Sequence, residues 1–337
     1  MSMEKIRWGI IGTAGIAQQQ LIPTMIRARN AEVTAIATGS DIDNARQLAD
    51  YFEVEKAYDS YENLLDDPDV DAVYIPLPNH LHKEWTIKAA RKGKHILCEK
   101  PLGLTLEEAS EMKKAADEEK VLLMEAFMYY FHPQHERVKE IVTSGEIGEV
   151  RYMRASHSFL LPEEKRETNI RAAKEKGGGS IYDLGCYAIH VIRNVLEDEP
   201  ETVFVHGTED EKRGIESSSI GYFTFTDGKK AVMESSFDMT NRNEYEIIGT
   251  EGRVFVPRAF RPDVQGGEGL VHVTVGDTVR SEAIHGDQYR FEVEHLSEAI
   301  LNGDEGVVHT LENTLDNMRV IDACHRSIKE NSVVHCS

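Results

Sequence analysis

The sequence predicts an α/β protein of two domains: a doubly wound parallel sheet over residues 1–125, then an α/β domain with a mostly antiparallel sheet over 126–337. Three observations predict it. Up to Met124, short apolar runs alternate with amphipathic stretches, the pattern of a parallel sheet covered on both faces. Beyond about residue 126 the runs lengthen, and turn dipeptides such as Asp227-Gly228 separate them. Finally, 337 residues exceed what one ordinary core accommodates.

The first strand spans 6–11 and ends at Gly12. A helix follows over 15–29, with Pro23 placed to bend it. Strand 32–38 and helix 43–51 come next, then strand 70–75, closed by Pro76-Leu77-Pro78-Asn79. Asn79 is expected to cap a helix to about Arg91, and 95–98 is another strand. Thr105 and Glu108 read as a capping box for a helix to about Glu119, before strand 121–124. In the second half, strands are expected over 148–158, 203–207, 218–226 and 229–237, with turns at Asp227-Gly228 and Gly276-Asp277. Helices over 180–196, 287–302 and 310–330 complete it, the last able to pack back on the first domain.

Composition narrows the partners. Acidic residues number 59 against 38 basic, a net charge of −21. Such a surface repels phosphate backbones and anionic lipid, which argues against nucleic acid and membrane. Cys98, Cys186, Cys324 and Cys336 are scattered, as reduced thiols of a cytoplasmic protein would be. No apolar run approaches the roughly 18 residues of a membrane span.

Gly12-Thr13-Ala14-Gly15-Ile16-Ala17 follows a strand and opens a helix, the context of a dinucleotide-binding turn. Gly12 permits the tight turn, and small Ala14 lets the backbone approach a pyrophosphate resting on the helix N-terminus. Ala14 replaces the usual second glycine. An acid normally ends the second strand when NAD is bound, but here the strand ends Ala37-Thr38-Gly39-Ser40, with no acid before Asp41. Thr38 and Ser40 offer hydroxyls to a 2′-phosphate, whereas Asp41 and Asp43 oppose one. The balance leans to NADP and leaves NAD open. Pro76, Leu77, Asn79 and His82 follow a strand's carboxyl end and are expected along the nucleotide. His80-x-His82 lacks the carboxylate or thiol company of a metal site, so no metal is expected.

With that turn, Glu99-Lys100-Pro101, and Gly178-Gly179 followed by Asp183 and Tyr187, the chain resembles the glucose–fructose oxidoreductase/inositol dehydrogenase/MocA family from about residue 5 to 330. Tyr74-Ile75-Pro76-Leu77-Pro78-Asn79, Glu125-Ala126-Phe127-Met128-Tyr129, His132-Pro133-Gln134 and Asn169-Ile170-Arg171 look closest to one branch. That branch holds NADP-linked D-xylose dehydrogenases, dimeric dihydrodiol dehydrogenases and anhydrofructose reductases. The resemblance implies a Rossmann domain followed by an α/β domain whose large open sheet serves oligomerisation, hence a homodimer or homotetramer. It also places Glu99 and Lys100 at the cofactor. Inositol dehydrogenases carry His at the position of Tyr187, which disfavours inositol as substrate.

Tyrosine exchanges a hydroxyl proton if its pKa, roughly 10, falls toward neutrality, and a nearby ammonium favours that. Tyr187 is therefore the candidate acid–base and Lys100 its partner. Asp183, four residues before Tyr187, shares its helix face. It reads either as an orienting or substrate-binding acid or, with Ser180, as a capping box. Asn169, Arg171, Tyr129 and His190 are candidates for the sugar, with loop or core roles as alternatives. The resulting expectation is an NAD(P)-dependent oxidoreductase of a sugar, cyclic polyol or dihydrodiol. The rival is a non-catalytic nucleotide-binding regulator, and a third version retains its cofactor through a two-sugar cycle.

Overall fold

The computed structural model describes residues 4–303, 307 and 309–336. The chain divides into two compact units, Met1–Met128 with Tyr289–Leu315, and Tyr129–Gln288 with Asp316–Ser337.

The first unit is built on six parallel strands: β1 (Ile6–Ile11), β2 (Ala31–Ala37), β3 (Lys56–Tyr58), β4 (Ala72–Ile75), β5 (His95–Glu99) and β6 (Leu123–Ala126). Their order is β3-β2-β1-β4-β5-β6, so the direction of winding reverses between β1 and β4. Ligands of such sheets bind outside the carboxyl ends at that reversal. Central strands must be apolar on both faces, and Trp8, Ile10, Ile11, Val73 and Tyr74 have no exposed surface. The connecting helices are α1 (Ile22–Arg27), α2 (Ile42–Phe52), α3 (Tyr61–Leu65), α4 (His82–Arg91) and α5 (Leu106–Glu119).

In the second unit nine strands form one sheet: β7 (Val150–Ser158), β8 (Thr202–Asp210), β9 (Ile215–Thr224), β10 (Lys230–Ser236), β11 (Arg242–Gly249), β12 (Gly252–Val256), β13 (Glu268–Val275), β14 (Thr278–His285) and β15 (Val334–His335). The order is β14-β13-β12-β11-β7-β10-β9-β8-β15, antiparallel throughout except for β10 beside β7. Helices α6 (Pro133–Thr143), α7 (Glu163–Arg166) and α8 (Cys186–Leu196) belong here. The chain then passes through α9 (Gln288–Asn302) and α10 (Leu311–Glu330). Helix α8 packs on β7 and β10. Along β9 Ser217, Ser219, Gly221 and Phe223 are buried while Ile220 and Tyr222 are exposed, so one face is core and the other open.

Several local expectations change. Pro23 does not bend a uniform helix; it follows a π-helical turn, Ala17–Leu21, at the point where four-residue winding resumes. Asn79 caps nothing. It lies inside a short 3-10 turn, Asn79–Leu81, that leads into α4. The Thr105 hydroxyl does accept the Glu108 N–H at 3.2 Å, but the Glu108 carboxylate reaches back to Leu104 N. The hairpin at Asp227-Gly228 forms, with Gly228 at φ +88° and Lys229 N donating to the Asp227 carboxylate at 3.0 Å.

Candidate active site

In the first unit the candidate residues gather at the carboxyl ends of β1, β2, β4 and β5. Gly12 ends β1 at φ +108°, and a Cβ there would stand 3.0 Å from Leu77 Cδ2. The turn is thus a cradle that a side chain would fill. Thr13 and Ala14 are half-buried and Gly15 is exposed where the helix begins. The first amides of any helix lack an intrahelical acceptor, which suits a phosphate over Ala14, Gly15 and Ile16. Gln18 braces the turn by donating to Thr13 O at 2.7 Å. These residues fit a dinucleotide.

At the end of β2, Thr38 Oγ1 and Ser40 Oγ are 3.0 Å apart, and the Ser40 N–H also reaches Thr38 Oγ1. Asp41, the nearest acid, is spent as the cap of α2, accepting Asp43 N at 3.0 Å. Arg46 pairs with Asp43.

The Pro76–Asn79 turn and the Lys100–Pro101 turn are tied together from behind. His82 has no exposed surface, and its Nδ1 and Nε2 lie 2.9 Å from Pro101 O and 2.8 Å from Leu77 O. Burial lowers its pKa, and the positive charge of Lys100 adds to the effect. Its place is as a strut between two loops. Pro76 and Leu77 are buried, and Asn79 is half-buried. Lys100 is half-buried just past β5, before a cis bond to Pro101. The buried hydroxyl of Tyr74 donates to Glu99 Oε1. Glu125 on β6, absent from the sequence-based set, accepts Leu102 N at 2.8 Å and fixes the same turn. An acid inside the apolar run Leu122-Leu123-Met124-Glu125-Ala126-Phe127 is the signal that could have found it.

In the second unit Tyr187 is 5% exposed on α8. Its ring packs on His157, Phe260 and Tyr129 with centroids 5.3, 5.5 and 5.8 Å away. Tyr129 and His190 are fully buried behind it, joined through Tyr129 Oη and His190 Nδ1 at 2.5 Å. Burial raises the Tyr129 pKa well above its usual value, so it stays a neutral donor. Asp183 sits in a π-helical turn, Ile181–Gly185, and accepts Arg171 Nε at 2.7 Å. The capping box drawn from Ser180 and Asp183 does not form: Ser180 Oγ turns to Ser235 Oγ at 3.0 Å. Asn169 spends its Oδ1 on Arg171 N, shaping the loop that presents the guanidinium. Phe260 lies in a loop and His157 within a strand, and neither carries a motif that marks it in advance.

Among the described residues no group of three or more His, Cys, Asp or Glu could hold a metal ion. Nor, among them, is any helix long and apolar enough to cross a membrane.

Residues 6–127 match a family model described as an oxidoreductase family with an NAD-binding Rossmann fold, and residues 135–255 match the GFO/IDH/MocA C-terminal domain. The chain is 38% identical to D-xylose 1-dehydrogenase (NADP(+)) 2 of Haloferax volcanii, over 97% of this chain and 98% of that protein. It is 30% identical to trans-1,2-dihydrobenzene-1,2-diol dehydrogenase of Xenopus tropicalis, covering 88% and 90%. Among solved structures it resembles KijD10, a 3-ketoreductase from Actinomadura kijaniata in complex with NADP and TDP-benzene, with a TM-score of 0.90, 32% identity and coverage of 96% and 98%.

Proposed function

Because the chain belongs to the GFO/IDH/MocA oxidoreductase family with its NAD-binding Rossmann fold, we propose that it moves hydride between a nicotinamide dinucleotide and a hydroxyl-bearing carbon of a sugar, cyclic polyol or dihydrodiol. It is an NAD(P)-dependent enzyme, and NADP is the favoured form. The Haloferax relative is named for NADP and KijD10 was solved with it. Within this chain, the Thr38 and Ser40 hydroxyls stand together while Asp41 is engaged elsewhere.

In this reading Gly12, Thr13, Ala14, Gly15 and Ile16 hold the pyrophosphate, and Pro76, Leu77, Asn79 and Glu99 line the nucleotide. His82 and Glu125 keep the loops in place. When bound, the nicotinamide supplies or accepts the hydride. Tyr187 Oη takes the substrate hydroxyl proton in oxidation and returns it in reduction. The Lys100 ammonium favours the ionised phenol. Asp183, steadied by Arg171, orients the reacting hydroxyl, and Asn169 shapes that loop. Tyr129 and His190 support the Tyr187 ring and exclude water behind it.

The observation that carries this reading is the setting of Tyr187, enclosed by three rings one turn after an acid held by arginine. Nicotinamide absorbance with NADP and D-xylose, extended to other aldoses, cyclic polyols and dihydrodiols, tests it. Tyr187→Phe and Lys100→Ala are expected to lose roughly 10²–10⁴ in turnover with nucleotide still bound. Full activity of both variants on a confirmed substrate removes the assignment.

The open sheet face further supports a homodimer or homotetramer, with Phe204, Tyr222 and Ile220 exposed on neighbouring strands. The four unbridged cysteines accord with a cytoplasmic protein.

A further inference from the structure

The helix that carries Asp183 and Tyr187 lacks a cap of its own. Three glycines lead into it, and Gly179 stands at φ +130°. The first turn is wound wide, and the Ser180 hydroxyl faces β10 instead of the helix end. The acceptor for the helix start comes from a different element. Glu216 of β9 takes the Ile181 N–H on Oε1 at 2.8 Å. A Cβ on Gly179 would lie 2.5 Å from that Oε1 and 2.7 Å from Oε2. Glycine is therefore required there twice, by its backbone angle and by the carboxyl group pressed against it.

We propose that Glu216 is a positioning residue for the reaction, setting from β9 the start of the Asp183–Tyr187 helix through the Ile181 N–H and the bare face of Gly179. The inference rests on the roles given above to Asp183 and Tyr187. A helix start held by a distant strand fixes the direction of whatever follows within two turns. Misplacing a reacting group by about 1 Å can cost on the order of 100-fold.

The contact is also proton-sensitive. Burial pushes the Glu216 carboxyl up to about 7. Its charged surroundings are few: Glu209 opposite on β8 is exposed, Asp183 is paired with Arg171, and Lys174 lies beside Gly214. Asp210 and Asp238, at the neighbouring strand ends, are held by Arg213 and Arg166. An acid whose folded pKa is raised favours the fold most when protonated. The hydrogen bond from Ile181 N–H itself favours the ionised carboxylate; what grows as pH rises through about 7 is the cost of burying that charge.

The test uses the intact chain and needs no substrate. Hydrogen exchange across 178–187, corrected for intrinsic rate, is read beside the ring resonance of isotope-labelled Tyr187, assigned with Tyr187→Phe. Wild-type protection is expected to fall about tenfold between about pH 6 and pH 8. Glu216→Gln should keep the low-pH protection and the Tyr187 resonance while abolishing that pH dependence. In Glu216→Ala the segment should lose about tenfold in protection at low pH, and the Tyr187 resonance should move. An unperturbed Glu216→Ala, or a Glu216→Gln that behaves like alanine, overturns the proposal. If Tyr187→Phe instead proves fully active, the catalytic reading falls while the exchange result still decides whether Glu216 anchors the helix.

Discussion

One methyl group at Gly12 separates a phosphate-ready turn from a blocked one. The residue sits at φ +108° with Leu77 Cδ2 only 3.0 Å from where a Cβ would go. Alanine would be strained there by roughly 1–2 kcal/mol, and its methyl would crowd Leu77. Gly12→Ala is expected to weaken NADPH binding by about tenfold or more, read by titration of nucleotide fluorescence, with the second unit unaffected. Wild-type affinity would show that the turn does not hold the dinucleotide. At this scale legibility was uneven for a physical reason. Gly12, Lys100 and Tyr187 stand in local patterns, and chemistry that depends on neighbours in the chain leaves a trace there. His157, Phe260 and Glu216 reach their places only through strand pairing and loop closure, so nothing beside them in the chain gives them away.

Elements show the same division. Strand β1 is legible as an apolar run with both ends in place. Strand β11 is hidden, because Glu244 and Glu246 alternate with Tyr245 and Ile247 and dilute the run, although the buried pair keeps the period of two. Neither π-helical turn is legible, since five-residue winding is selected by packing and not by composition. Edge strand β14 shows what a polar element gains from its neighbours. Its Glu282 accepts Arg137 of α6 at 2.7 Å and Arg280 at 2.8 Å. Hydrogen bonds from Arg137 hold the carboxyl down at about 2. A depressed pKa contributes stability above the unfolded value, lost as pH falls through about 2. After discounting for solvent screening, Glu282→Gln should cost about 1 kcal/mol in urea unfolding near neutrality. That difference should shrink by roughly half between pH 5 and pH 3. A difference independent of pH would mean that packing, not charge, holds β14 to α6.

For the whole molecule, the open sheet face bears most directly on assembly. Ile220 is 50% exposed and Tyr222 41%, beside Phe204 on β8, and apolar neighbours in register seldom face water without a partner. Ile220→Lys with Tyr222→Glu is expected to give monomers in light scattering at concentrations where the wild type assembles. An assembled double variant, or a monomeric wild type, rules this face out. The two-unit organisation has a different consequence, which concerns time. Trp8, near the beginning, donates its indole N–H to Ser297 at 3.1 Å, and the Arg29 guanidinium meets Glu294 at 3.1 Å. A ribosome adding roughly 5–20 residues per second needs some tens of seconds to make the second member of each pair after the first. Throughout that interval the nascent nucleotide-binding unit lacks part of its own interior, while the strands of its partner unit emerge. The earlier-made unit waits for α9, and the other waits longer still, because residues 316–337 belong to it.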